Sequence, residues 1–259
     1  MAYALITGAS GGIGWALAKE LASQKHDVLL LARSEDNLRR NCMELREKYN
    51  VAVDYLALDL SKPDSIFLVK NWLTSRGYPI DILINNAGFA SWGNLIDIAR
   101  EELNEMMQLN MVTLADFCKI LQPDLAKNKK AYILNVSSTA AYQAVPTMTT
   151  YAATKAFVLL FTRGLRWELK SSTVSVSCLS PGATSTGFID RARMGILKER
   201  AEKFSMKAED VATIAIKGLY AGKAEIIPGL LNLVSVKLAQ LAPKSLTERI
   251  AKNLYKTDI

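Results

Sequence analysis

Short apolar runs alternate along the chain with longer stretches in which apolar residues recur every three or four positions. The runs fall at 3–7, 27–32, 52–58, 80–84, 132–136, 174–179 and 225–227, and helical periodicity covers 13–24, 35–49, 64–76, 100–127, 150–170 and 209–221. Val28-Leu29-Leu30-Leu31-Ala32 and Tyr132-Ile133-Leu134-Asn135-Val136 are almost continuously apolar, as strands buried on both faces must be. Strict alternation of strand and helix implies βαβ units, a parallel sheet and right-handed crossovers. No repeat or Ser/Gly-rich linker divides the chain. The pattern therefore predicts one doubly wound α/β domain of about seven strands with helices on both faces. Residues 1–228 carry the sheet, and 229–259 form a helical C-terminal extension of the same domain.

Composition narrows the class. Of 259 residues, 50% are hydrophobic and 22% charged, with 14 Gly and 7 Pro, which excludes disordered, collagen-like and low-complexity chains. Lys and Arg exceed Asp and Glu by 32 to 25, a formal charge of +7. The cations are mixed with acids, as in Arg39, Arg40, Glu44, Arg46, Glu47 and Lys48. That distribution reads as a solvated surface and not as a nucleic-acid footprint. Cys42, Cys118 and Cys178 are far apart and odd in number, so a reducing, cytoplasmic location is expected instead of a disulfide framework. A glycine-rich motif begins within ten residues of Met1 with no charged n-region before it, so no secretory signal is expected. No uncharged apolar stretch is long enough to span a bilayer. His26 is the only histidine; it is expected on the surface, and no metal site is expected.

The candidate chemistry lies at strand ends. The first run leads into Thr7-Gly8-Ala9-Ser10-Gly11-Gly12-Ile13-Gly14 and then a helix. Glycines at that junction let backbone N–H groups approach a pyrophosphate at a helix N-terminus. The second run ends Leu31-Ala32-Arg33-Ser34, so an acid for ribose hydroxyls is absent and a planar cation is present. Arg33, with Ser10 and Ser34, suits a 2′-phosphate and hence NADP(H) over NAD. Asp59, beside Leu60, could accept from an adenine amino group, or could cap the helix after Ser61. Asn85-Asn86-Ala87-Gly88 follows the fourth run, where such sheets bind ligands.

Together TGASGGIG, NNAG, Asn110, Ser138, Tyr151-Ala152-Ala153-Thr154-Lys155 and Pro181-Gly182, in order from residue 3 to about 190, resemble the short-chain dehydrogenase/reductase family. The resemblance implies a Rossmann-type sheet and a catalytic set of Tyr151 (acid/base), Lys155 (its activator), Ser138 (carbonyl-orienting donor) and Asn110 (support for a proton-relay water). It also implies cofactor contacts from Gly8, Ser10, Gly11, Gly12, Ile13, Gly14, Arg33, Ser34, Asp59, Leu60, Asn86, Ala87, Gly88, Tyr151, Lys155, Pro181, Gly182 and Thr184. Gly11 departs from the basic residue that NADP-preferring members often carry there. The residues argue the same way unaided. Tyr151 and Lys155 are four apart on a predicted helix and share a face. A tyrosine with a pKa of about 10 is too weakly acidic to serve as a base near neutrality, and a neighbouring ammonium favours its phenolate. A catalytically silent NADP-binding sensor or scaffold is the competing class, and it would be expected to lack one of the four catalytic residues.

Phe89, Trp92, Ala140, Tyr142, Val145, Met148, Phe188 and Met194 are expected to ring an apolar pocket, which suits a lipophilic ketone or aldehyde. Among them Phe89, Trp92, Tyr142, Met148, Phe188 and Met194, with Ser138, are the candidate substrate contacts. The segment 184–204 reads as a substrate-covering helix-loop. Beyond Ile227-Pro228-Gly229, the apolar band Leu230, Leu231, Leu233, Val234, Val236, Leu238 and Leu241 precedes a break at Pro243 and a second, basic helix over 245–255. This region resembles hydroxysteroid dehydrogenase and 3-ketoacyl reductase-like members. The band is expected to cover the pocket or to join subunits of a homodimer or homotetramer, in preference to resting on a membrane surface.

Overall fold

The computed structural model describes residues 2–186 and 205–254. Its strands are β1 (Tyr3–Thr7), β2 (Asp27–Ala32), β3 (Val53–Ala57), β4 (Ile80–Asn85), β5 (Ala131–Val136), β6 (Val174–Leu179), β7 (Thr184–Ser185), β8 (Met206–Lys207) and β9 (Glu225–Ile226). The helices are α1 (Gly12–Ser23), α2 (Glu35–Tyr49), α3 (Ser65–Arg76), α4 (Arg100–Met107), α5 (Leu114–Leu125), α6 (Thr149–Glu168), α7 (Ala208–Tyr220), α8 (Leu230–Leu241) and α9 (Lys244–Leu254). Seven strands form one parallel sheet in the order β3-β2-β1-β4-β5-β6-β9, and β7 pairs separately with β8. The order reverses between β1 and β4, so a crevice opens at their carboxyl ends.

Period-two alternation builds two cores from one sheet. Leu5, Leu29, Leu31, Leu83 and Ile133 face one side, with Ile66, Val69 and Leu73 of α3, Phe117 and Leu121 of α5 and Val158 of α6. Ala4, Ile6, Val28, Leu30, Ile82, Ile84 and Leu134 face the other, with Leu17 and Leu21 of α1, Leu38 and Leu45 of α2 and Val211 and Ile216 of α7. Each fully buried aliphatic side chain contributes about 1.5–3 kcal/mol. A one-residue slip of any central strand would exchange its two faces and lose both sets of contacts.

Two expectations are corrected. The single helix over 100–127 is α4 and α5 joined by a π-helical turn, Gln108–Thr113. The extra residue in that turn accompanies buried hydrogen bonds made by Asn110, described below. His26 is half-buried, not a surface residue: its Nε2 lies 2.9 Å from Asp81 Oδ1. The three cysteines are buried and free. Among the described residues, no cluster of His, Cys, Asp or Glu could hold a metal, and no helix is long and apolar enough to cross a membrane. Phe188, Met194 and most of the expected covering segment 184–204 lie outside the described residues.

Candidate active site

The crevice is pinned by Thr7 at the end of β1. Its Oγ1 donates to Ile84 O (3.3 Å) and accepts from the backbone N–H groups of Asn86 and Ala87, each at 2.9 Å. Asn86 Nδ2 returns bonds to Thr7 O (2.9 Å) and Gly8 O (3.3 Å), tying the loop after β4 to the glycine-rich turn. Gly8 has φ +69°, and a Cβ on Gly14 would lie 2.3 Å from Gly8 O. Both glycines are thus demanded by how tightly the turn packs. Ser10 is half-buried in the same turn, and Ile13 packs against the second core.

Gly11 is the N-cap of α1 in extended backbone, and a Cβ there would meet nothing within 4 Å. No side chain caps α1, and its first turn carries no acid. A helix N-terminus of this kind, with a positive dipole end and no acid in its first turn, fits a dinucleotide pyrophosphate.

Arg33 and Asp59 sit on the rim formed by the ends of β2 and β3. Arg33 is half-exposed, with Nη1 3.5 Å from Glu105 Oε1 of α4. Asp59 Oδ1 accepts from Ser61 N (3.0 Å) and Ser61 Oγ (2.8 Å). Partial burial opposes its ionisation, but the Ser61 bonds and the charges of Arg33 and Lys62 together hold it below the usual carboxylate range. Ser34 begins α2 without a side-chain capping bond. Leu60 is buried, and its carbonyl accepts from Thr113 Oγ1 at 2.8 Å.

On the other side of the crevice, Gly88 marks a point of convergence. A Cβ there would stand 2.8 Å from Asn110 Oδ1 and 3.4 Å from Lys155 Nζ. Asn110, 1% exposed, grips Phe89 with both ends of its amide: Nδ2 donates to Phe89 O (3.0 Å) and Oδ1 accepts from Phe89 N (3.2 Å). Asn110 Nδ2 also donates to Thr154 Oγ1 (3.1 Å), which donates to Tyr151 O (2.7 Å). The π turn therefore aims a buried amide at the loop after β4 and at α6 together.

Lys155 lies over Tyr151, with Nζ 5.8 Å from the ring centroid. Its Nζ donates to Val136 O (2.9 Å), and its own carbonyl accepts from Ser137 Oγ (2.7 Å). Burial disfavours its charge and pulls its pKa down to about 8. Ser138 follows directly, and its Oγ accepts from Ala140 N at 3.1 Å. The fold thus gathers Asn110, Tyr151 and Lys155 and sets Ser138 at the adjoining strand end. Pro181 O accepts from Thr139 N (2.9 Å), and Thr184 Oγ1 donates to Gly182 O (3.1 Å), so the loop after β6 closes the same end of the sheet.

Residues 2–195 match the model of the short chain dehydrogenase family. The chain belongs to that family. This short-chain dehydrogenase is 31% identical over 230 residues to hydroxysteroid dehydrogenase-like protein 1 of Gallus gallus, covering 88% of this chain and 67% of that protein. It is 30% identical over 210 residues to a very-long-chain 3-oxoacyl-CoA reductase of Mus musculus, covering 80% of this chain and 67% of that one. Among solved structures, it resembles a short-chain dehydrogenase from Sphingobium yanoikuyae in complex with NADPH: TM-score 0.81, 30% identity, 95% of this chain and 97% of that chain. It also resembles one from Burkholderia phymatum in complex with NAD: TM-score 0.84, 25% identity, 92% of each.

Five of the apolar candidates of this dehydrogenase pack together with Tyr151. Phe89, Val145 and Met148 are buried in the cluster that contains Tyr151, with Trp92 and Ala140 packed against it. Trp92 Nε1 is a buried donor without a partner among the described residues. Tyr142 directs its hydroxyl to Ser180 Oγ (3.1 Å) and to Glu225, which also pairs with Arg163. Burial and the Glu225 carboxylate raise its pKa and keep the phenol protonated. Sequence reasoning missed Thr7, Thr154 and Asn232. Thr154 was within reach, since it lies three residues after Tyr151 on the same helix face. Asn232, whose Oδ1 lies 2.4 Å from where a Gly182 Cβ would sit, gave no local signal.

Proposed function

We propose that this short-chain dehydrogenase is an NADP(H)-dependent oxidoreductase that interconverts a lipophilic ketone or aldehyde with its alcohol. The convergence of Asn110 and Lys155 on Gly88, with Tyr151 beside Lys155 and tied to Asn110 through Thr154, carries the reading. A nicotinamide dinucleotide, when bound, supplies or accepts the hydride. Tyr151 gives a proton to the developing alkoxide during reduction and takes it back during oxidation. Lys155 lies close enough for its ammonium to favour the phenolate. Ser138 Oγ donates to the carbonyl oxygen and steadies the charge that develops there. Asn110 holds the Phe89 backbone and, through Thr154, the first turn of α6 that bears Tyr151.

NADP(H) is favoured by Arg33, which presents a planar cation and no acid at the β2 tip. The relative named for steroid chemistry, the one named for long acyl chains and the apolar side chains packed with Tyr151 all support a lipophilic substrate. Purified protein with NADPH should reduce members of a ketone and aldehyde panel. Tyr151→Phe should abolish turnover while leaving cofactor affinity within a few-fold. A variant retaining most of the wild-type rate would remove Tyr151 from the mechanism. Cofactor binding without turnover of any panel member would favour the silent sensor or scaffold.

A further inference from the structure

Helix α8 turns its most apolar sector away from the molecule. At about 100° per residue, Leu230, Leu231, Val234, Leu238 and Leu241 fall within one sector about 100° wide, and they are 47% to 84% exposed. The opposite sector holds the helix down. Val236 is buried, Ala239 is half-buried, and Asn232 donates to Pro228 O (2.7 Å) while pressing on Gly182. Of the apolar band expected to cover the pocket, only Val236 is buried. Beyond Pro243, α9 adds Leu246 and Ile250, each about half exposed.

Charge decides what suits this surface. From residue 230 to 254 the cations are Lys237, Lys244, Arg249 and Lys252, all exposed, against the single acid Glu248. A two-fold contact between copies would lay this basic patch on itself. An anionic lipid surface instead complements it, and an exposed apolar stripe flanked by cations is the pattern of a helix lying in a membrane interface. At 12 residues α8 is too short to span. We propose that α8, with the adjoining start of α9, docks on an anionic bilayer surface. Asn232 on its inner face would then set the loop after β6 close to the lipid. Entry of substrate from that side rests on the function proposed above; the docking itself does not.

The test is co-sedimentation of the full chain with phosphatidylcholine vesicles, with and without phosphatidylserine. Binding should be several-fold stronger to the anionic vesicles and should weaken with salt. Leu231→Glu combined with Leu238→Glu should lower it at least tenfold with an unchanged thermal midpoint. Lys244→Glu with Arg249→Glu, at exposed positions, should abolish the preference for anionic vesicles. No sedimentation with either vesicle, or binding indifferent to both variants, overturns the proposal. So does a leucine variant that changes only the mass of the protein in solution, since the stripe then belongs to a second copy.

Discussion

Single residues set the chemistry by being held where water would otherwise stabilise them. Lys155 is the sharpest case, because burial lowers its pKa from the ordinary 10.5 to about 8. The folded state binds this proton less tightly than the unfolded chain, so between those two values the unfolded chain holds more protons. Stability contributed by this group therefore rises with pH across that window. Below it the buried charge is a constant cost of about 3 kcal/mol, at about 1.4 kcal/mol per pKa unit. Lys155→Met should consequently unfold at higher urea than wild type at neutral pH and lose the rise above pH 8, while turnover collapses. Urea titrations at the two pH values decide it, and an unchanged pH slope in the variant would refute the account. Arg33 makes the second residue-scale prediction. If Arg33 holds a 2′-phosphate as proposed, Arg33→Asp removes a charge-assisted contact worth about 1.5–3 kcal/mol and offers an acceptor to ribose hydroxyls. NADPH affinity should fall roughly tenfold to a hundredfold and preference should move toward NADH. A wild-type protein that already prefers NADH would contradict this role for Arg33.

At the scale of elements, the sheet was legible because burial on both faces leaves an unmistakable run such as Val28–Ala32, which is why β2 ends where its sequence pattern ends. The glycine-rich turn was legible because only glycine tolerates the approach of Gly14 to Gly8 O. Two features were hidden for physical reasons. Gln108–Thr113 has ordinary helical periodicity; the π turn accompanies long-range bonds from Asn110 to Phe89 and from Thr113 to Leu60, which no local window contains. The orientation of α8 was hidden too. An apolar stripe specifies that something covers it, while the part-buried Asn232, a polar residue, marks the sector that faces the domain. In this helix the usual rule, apolar side inward, runs backwards.

For the whole molecule, the outward surfaces divide by charge. Helix α6 carries Tyr151 and Lys155 on its inner side and, on its outer side, Leu160 (70% exposed), Trp167 (69%) and Phe157 (38%), the last stacked on Phe161. Its arginines are engaged within the chain: Arg163 pairs with Glu225, and Arg166 donates to Val176 O and Gly222 O. Lys170 also lies over Trp167, 4.5 Å from the ring centroid, and exposed Glu168 stands beside Trp167 in the chain, so two copies meeting here oppose mixed charge, unlike across α8. An isologous contact here would brace the helix that bears Tyr151 and Lys155. We expect self-association through α6 and lipid docking through α8 to be separable. Leu160→Glu with Trp167→Glu should give monomers in sedimentation velocity and a thermal midpoint that no longer rises with protein concentration, with vesicle binding retained. The leucine variant of α8 should do the reverse. If the α6 variant keeps the wild-type mass at every concentration, this face is not the subunit contact.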